Sequence, residues 1–228
     1  MVLLNLKADP NTIPCSWLDI EPTPHLIFVI RPGAGTHKNR EAYQQLEAKY
    51  TVVYFGNSGD VFDKYPDNWQ DNKLVKNKGP HLGGIYQYVK KYIDSKNQIP
   101  SAIICGSRGG QVTIGKIWEG LWRGPTIIIN SGCLTSQTII PNGVKPIFIS
   151  MGKDYFESVN TPQKVANLYT KLSQTEENAY LVYLPKEGHM PKLTKNLQNL
   201  LLKCIVFVTK NKLDFDKIND IMEIYSLS

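Results

Sequence analysis

The residues best suited to chemistry lie in the segment 105–110 (CGSRGG), which follows an apolar run and precedes a stretch with helical periodicity. A serine on a sharp strand-to-helix turn needs small residues two positions before and after it, because strand and helix nearly collide there. Cys105 and Gly109 meet this need. Such a turn would expose the Ser107 hydroxyl above a sheet edge and aim the backbone N–H of Arg108 at the same point. The pattern therefore predicts a nucleophilic serine with a hydrogen-bond donor for an oxyanion beside it.

A glycine-rich turn between strand and helix can instead be purely structural, or it can hold a phosphate. The sequence has no Gly-Lys-Ser/Thr, which a Walker loop requires. A dinucleotide-binding turn beginning at Gly33 would need a third glycine where Lys38 stands, and a phosphatase loop beginning at Cys105 would need arginine in place of Gln111. These mismatches disfavour a phosphate site and leave the structural turn as the alternative.

A serine hydroxyl is a weak nucleophile and needs a base, which in turn needs an orienting acid. Of the four histidines, His189 lies in the segment 186–191 (KEGHMP), directly after an apolar run and on a glycine-supported loop. His25 opens a predicted strand at the opposite edge, and His37 and His81 lie near helix starts without a clear acidic companion. We therefore predict that His189 is the base.

The acid should also follow a strand. Asp154 ends the segment 151–154 (MGKD) after the fifth apolar run, with Glu157 as the alternative one turn later. The fourth run ends at Asn130 and offers no carboxylate. Single surface aspartates and loop histidines are common, but their joint placement after successive strands, in the order serine, aspartate, histidine, predicts a catalytic triad.

These residues depend on a regular scaffold. Short apolar runs predict six strands, at 25–31, 51–55, 101–105, 125–130, 146–151 and 179–184. Amphipathic periodicity predicts helices at 38–49, 81–96, 108–121, 161–172 and 193–208. Strands that are apolar throughout must be covered on both faces. The chain is thus predicted to be a three-layer α/β/α sandwich with a mainly parallel sheet, whose loops meet at the carboxyl edge of the strands.

Two further segments should reach that edge. The turn 32–35 (PGAG) follows the first strand, and its small residues would let backbone N–H groups approach a ligand and supply a second oxyanion donor. Without a serine elbow, it would be a plain glycine turn. The polar segment 56–78 carries Phe62, Tyr65 and Trp69, which either pin the segment to the body or line an acyl or aryl pocket.

The segments PGAG, CGSRGG, MGKD and EGHM, spread over about residues 25–209, together resemble the α/β-hydrolase fold. The resemblance implies that Ser107 is the nucleophile, Asp154 the acid and His189 the base. It also implies that the oxyanion-hole N–H groups come from Ala34 and Arg108, with Gly33 or Gly35 as alternatives to Ala34. It further implies a serine hydrolase of the carboxylesterase or thioesterase type, with a small-molecule ester or thioester as substrate and no metal or organic cofactor.

The chain departs from this family in two ways. Cys105 stands where the family usually has glycine, and only about 15 residues separate Asn130 from Pro146, where many members insert a lid. The resemblance therefore implies an open site, as in lidless esterases, thioesterases and dienelactone-hydrolase-like members. A non-catalytic binding protein with this fold is the main alternative, and an acyltransferase that uses the same triad but excludes water is a third.

Composition narrows the remaining choices. The 228 residues carry a formal net charge of +6, but the lysines are scattered among acidic residues, so we expect no nucleic-acid binding. Four widely spaced cysteines fit a reducing compartment, and no apolar run is long enough to span a membrane, which together predict a cytoplasmic protein.

We expect one domain over 1–228, with an arm or edge strands at 1–24 and an extra helix at 210–228. The helix would dock on the body or contact a second subunit, so a monomer and a homodimer both stay open.

Overall fold

The computed structural model describes residues 20–30, 43–55, 80–130, 141, 143–153, 180–188 and 195–209. The strands in this part of the chain are β1 (Leu26–Ile30), β2 (Thr51–Phe55), β3 (Ala102–Gly106), β4 (Pro125–Ile129), β5 (Lys145–Lys153) and β6 (Tyr180–Gly188). The helices are α1 (Gln44–Glu47), α2 (Pro80–Lys96), α3 (Arg108–Val112), α4 (Trp118–Gly120) and α5 (Lys195–Thr209), with a π-helical turn (Thr113–Ile117) between α3 and α4.

The six strands form one parallel sheet in the order β2-β1-β3-β4-β5-β6. Along β1 the side chains alternate between two buried clusters. Phe28 faces the cluster that includes α2, α3 and α4, whereas Val29 faces the cluster that includes α1 and α5. Since both faces of the strand are covered, every residue of β1 is buried and apolar. The predicted three-layer α/β/α sandwich with a parallel sheet is confirmed.

Helix α2 shows how sequence periodicity becomes packing. Ile85, Val89 and Ile93 recur every four residues and are all buried against the sheet. The ring of Tyr92 packs edge-on against Phe28 and Phe55, with ring centroids 5.3 and 5.9 Å apart. These contacts fix α2 over the central and edge strands on one side of the sheet.

The opposite layer is built by α5 and α1. The buried face of α5 includes Leu197, Leu201, Cys204 and Val208. Its Gln198 side chain accepts a hydrogen bond from the backbone N–H of Gln45 at 3.0 Å, which joins the two helices. No helix in the described ranges combines the length and the apolar character needed to cross a membrane.

The predicted helix 108–121 is interrupted by the π-helical turn. The N–H groups of Leu121 and Trp122 both donate to the carbonyl of Ile117, at 2.9 Å each. Trp118 begins α4 fully buried, and its indole N–H donates to the hydroxyl of Thr126 at 3.3 Å. The wider turn thus lies where a bulky indole is packed between the helix and β4.

The last two strands run further than their apolar patterns predict. In β5 and β6, Met151 pairs with Leu184, but the next pair is Lys153 with Gly188, so β6 holds two extra residues there. Residues 185–188 (PKEG) are polar and include a proline, which explains why no strand was predicted for them. A bulge on a strand at the sheet edge tolerates such residues, because an edge strand lacks a partner on one side.

Two cysteines belong to the core. Cys105 and Cys204 are buried thiols with 1% and 2% of their surface exposed. Burial raises the pKa of Cys204 to about 12, although the nearby Lys203 lowers it. At neutral pH this thiol is therefore protonated and poorly reactive.

We predict that neither buried thiol reacts with an aromatic disulfide reagent at pH 8 while the protein is folded. The test uses a variant in which Cys15 and Cys133 are both replaced by serine, so that only the two buried thiols are counted. In buffer the number of thiols that react per protein molecule should be close to zero, and in guanidinium chloride it should be two. Rapid reaction of either thiol in buffer would show that the core packing described here is wrong.

Candidate active site

Ser107 lies on the turn between β3 and α3, and its backbone is held in an unusual conformation. Its φ of 47° and ψ of −112° fall in a region that residues with a side chain rarely adopt. The N–H of Ser107 donates to the carbonyl of Ile129 at 2.8 Å, and its carbonyl accepts from Gly110 at 3.1 Å and Gln111 at 3.3 Å. The sheet thus fixes the turn on one side and the new helix fixes it on the other.

Small residues surround this turn, as the sequence predicted. Gly109 and Gly110 are buried, whereas Ser107 is only partly buried. Cys105 packs inside the sheet, and its Sγ lies 3.5 Å from the carbonyl of Ile127. The thiol is therefore accommodated at a position where a larger side chain would collide with β4.

Arg108 is the first residue of α3. The first N–H groups of a helix have no acceptor within the helix, and they lie at the positive end of its dipole. Gly110 and Gln111 direct their N–H groups to the carbonyl of Ser107. The N–H of Arg108 belongs to the peptide group that joins Arg108 to Ser107, so it lies directly beside the serine. This end of the helix can stabilise negative charge that develops close to Ser107.

Chain segments that were predicted to line the site leave from the same edge. Ile30, the last residue of β1, pairs with both Phe55 of β2 and Cys105 of β3. The ends of β1 and β2 therefore lie at the same edge of the sheet as the serine turn, with β1 adjacent to β3 and β2 one strand further away. The residues predicted in those segments lie outside the described ranges: Gly33, Ala34, Gly35, Phe62, Tyr65 and Trp69.

The predicted acid and base each follow directly after the end of a strand, β5 or β6. Lys153 and Gly188 are the last residues of their strands, and they pair with each other. Asp154 and His189 follow them directly in sequence but lie outside the described residues. Since paired parallel strands lie about 4.8 Å apart, Lys153 and Gly188 are close neighbours at this edge.

Asn130 lies at the same edge of the sheet and was not predicted to contribute to the site, because its side chain is not a carboxylate. It follows β4 directly, is 2% exposed and has a positive φ of 45°. Its side-chain amide donates to the carbonyl of Gly188 at 3.3 Å. Because β5 lies between β4 and β6, this contact means that the end of β6 bends back toward the centre of the sheet. The detectable signal was an asparagine at a strand end, where this residue type tolerates positive φ.

The histidine at the start of β1 lies away from this edge. His25 precedes Leu26 with a φ of 60°, and its ring packs against Tyr50 at the amino end of β2, with ring centroids 5.8 Å apart. This confirms that His25 is at the opposite edge of the sheet from Ser107. Within the described ranges, no group of three or more His, Cys, Asp or Glu side chains is arranged to hold a metal ion.

Strain at the serine turn predicts an unusual stability order. A residue with a Cβ in this backbone region costs about 1–3 kcal/mol, and glycine relieves that cost. The free energy of unfolding in urea should therefore be about 1 kcal/mol higher for Ser107→Gly than for Ser107→Ala, since both variants lack the hydroxyl. At Ser101, whose φ is not positive, the order of the matched pair should be reversed. A less stable Ser107→Gly variant would contradict the strained turn.

No protein-family model matches the sequence, and no curated protein matches it at a significant level. Solved structures do match. A lidless α/β serine hydrolase from Xanthomonas campestris aligns over 83% of this chain and 84% of its own, with a TM-score of 0.52 and 18% identity. A Bacillus cereus carboxylesterase aligns over 83% and 91%, with a TM-score of 0.51 and 8% identity.

A third structure, the acylaminoacyl peptidase of Pyrococcus horikoshii, aligns over 88% of this chain but 40% of its own, with a TM-score of 0.57 and 15% identity. In this chain a parallel sheet has helices on both faces, and a serine lies on a sharp strand-to-helix turn, as an α/β-hydrolase sheet requires. The connection from β4 to β5 spans only residues 130–144, which leaves no room there for a lid domain. The chain therefore has the α/β-hydrolase fold, in its lidless form.

Proposed function

We propose that this protein is a serine hydrolase that cleaves a carboxylic ester or thioester through an acyl-enzyme on Ser107. The observation that carries the proposal is the backbone of Ser107, with φ 47° and ψ −112°, on the turn between β3 and α3. Strained residues persist only where their surroundings hold them, and they cluster at active sites. A serine on such an elbow has its hydroxyl exposed above the sheet edge, where a substrate can reach it.

In the proposed reaction, His189 takes the hydroxyl proton as Oγ of Ser107 bonds to the acyl carbon. Asp154 holds the imidazole in the tautomer that accepts this proton. His189 then protonates the leaving oxygen or sulfur, and the acyl–Ser107 ester remains. Water, deprotonated by His189, attacks that ester, and the acid leaves as Ser107 regains its proton. The pairing of Lys153 with Gly188 supports these roles, because Asp154 and His189 follow those two residues.

The oxyanion of each tetrahedral intermediate would be held by two backbone N–H groups. Arg108 is the first proposed donor, and its support is its position at the start of α3 beside Ser107. Ala34 is the second, with Gly33 or Gly35 as alternatives. The second donor is supported by the pairing of Ile30 with Cys105, which brings the end of β1 close to the serine turn.

A small-molecule ester or thioester is the proposed substrate. The carboxylesterase that shares this fold supports ester chemistry, and the lidless serine hydrolase supports a serine nucleophile. Phe62, Tyr65 and Trp69 are the proposed pocket residues, because their segment begins at the end of β2, next but one to β3 in the sheet. The mechanism requires no metal or organic cofactor.

Hydrolysis of p-nitrophenyl acetate and butyrate tests the proposal. We expect Ser107→Ala and His189→Ala to lower kcat/KM by about 10³-fold or more, because the triad acts as a unit. Asp154→Asn should lower it by about 10²–10⁴-fold, since the imidazole loses its oriented tautomer. Glu157→Gln should leave it unchanged, which separates the two candidate acids.

Ser101→Ala is the matched control, because Ser101 precedes the first residue of β3, at the opposite end of this strand from Ser107. Its hydroxyl donates to the carbonyl of Leu26 at 2.9 Å. Its kcat/KM should equal that of the wild type. Equal hydrolysis by wild type and Ser107→Ala would place the reactive residue elsewhere. Saturable binding of an ester without turnover would favour the non-catalytic binding protein, and transfer of the acyl group to an added alcohol in preference to water would favour the acyltransferase.

A further inference from the structure

We propose that Asn130 is a positioning residue for His189, acting through the peptide group that joins Gly188 to His189. The inference rests on the proposed function, because it assigns a partner to the proposed base. The carbonyl of Gly188 belongs to the same planar peptide unit as the N–H of His189. A hydrogen bond to that carbonyl therefore fixes the plane from which the His189 backbone begins.

The orientation of the Asn130 side chain follows from its chemistry. Its partner is a carbonyl oxygen, which only accepts, so the NH₂ end must face Gly188, as it does at 3.3 Å. Only 2% of Asn130 is exposed and Gly188 is partly buried, so the contact is partly shielded from water. Breaking this bond would take an acceptor from a buried donor, which is unfavourable, so the bond resists opening.

The backbone of Asn130 aims this amide. Its N–H donates to the carbonyl of Ile149 on β5 at 3.0 Å, and its positive φ of 45° turns the chain out of β4. Asparagine adopts this conformation more readily than other residues that have a side chain. Few residues other than asparagine thus combine this backbone with a side-chain donor.

The dipeptide 129–130, at the end of β4, also holds Ser107 in place. The carbonyl of Ile129 accepts the N–H of Ser107 at 2.8 Å, and Asn130 follows it directly. Ser107 and the peptide before His189 are therefore both hydrogen-bonded to this one dipeptide. Proton transfer needs a separation of about 2.6–3.2 Å between the reacting atoms. The dipeptide 129–130 fixes the positions of the serine turn and of the end of β6, the two chain segments whose side chains must reach this distance.

The end of β6 needs such an anchor. It lies beyond the bulge, and β6 is at the sheet edge, with β5 as its one neighbour in the described sheet. Ladder bonds therefore hold it from one side only. Asn130 adds a contact that reaches across β5 from β4.

Two substitutions separate the side-chain donor from the backbone. Asn130→Gly keeps the positive φ and removes the amide, whereas Asn130→Asp keeps the shape and places an oxygen against the Gly188 carbonyl. We expect kcat for p-nitrophenyl butyrate to fall about 10- to 100-fold in both, with KM within twofold of wild type, because a small misplacement of a catalytic group costs about that much.

Asn97→Gly is the matched control, since Asn97 also has a positive φ, 49°, but lies after α2. Its kcat should not change. Hydrogen exchange gives a readout that does not require activity. In Asn130→Gly, amides of residues 186–190 should exchange at least tenfold faster, whereas those of β1 should not change.

The outcomes distinguish the two proposals. If wild type shows hydrolysis that depends on Ser107, and Asn130→Gly matches Asn97→Gly in kcat and exchange, the positioning role is wrong and the hydrolase proposal stands. If kcat and KM change together with faster exchange throughout the protein, Asn130 is merely structural and the inference is overturned. If wild type itself shows no Ser107-dependent hydrolysis, the proposed function fails and the positioning role fails with it.

Discussion

The hydrogen bond from the Ser107 N–H to the Ile129 carbonyl, 2.8 Å long, is the contact on which the proposed site depends. It continues the ladder between β3 and β4 by one residue past the end of β3, while the backbone of Ser107 has already turned away at a φ of 47°. That conformation is unfavourable for a residue with a Cβ and survives only because its surroundings impose it. The buried sheet supplies one side of that restraint, and the start of α3 supplies the other.

The fold supplies this rigidity through burial on both faces. Phe28 and Val29, adjacent on β1, point into separate apolar clusters, so the centre of the sheet has helices above and below it. Strands covered in this way have little freedom to shift, because the interior is close-packed. The described strand ends that precede the catalytic candidates, together with the Ser107 turn, therefore lie at one stiff edge, where strand order and register set their relative positions.

Much of the fold could be predicted from the sequence, since continuous apolar runs mark strands buried on both faces. The ends of β5 and β6 could not, because residues 185–188 are polar and owe their strand conformation to pairing beyond a bulge. The serine turn was predictable from its small neighbours, including Cys105. Asn130 was not, because its contact with Gly188 exists only when the end of β6 bends toward the centre of the sheet, a tertiary effect with no local pattern. The roles of Asp154 and His189 stay predictions.

The central claim is that residue 107 carries an activated serine, and its most direct test is the intact mass after treatment with a fluorophosphonate, for wild type beside Ser107→Ala. An assembled triad and oxyanion hole make a serine hydroxyl reactive toward this phosphorus centre, whereas an ordinary surface serine is inert. We predict a single adduct on wild type, located on the peptide that contains Ser107, and none on the variant. No adduct on wild type, or equal adducts on both proteins, would contradict the account.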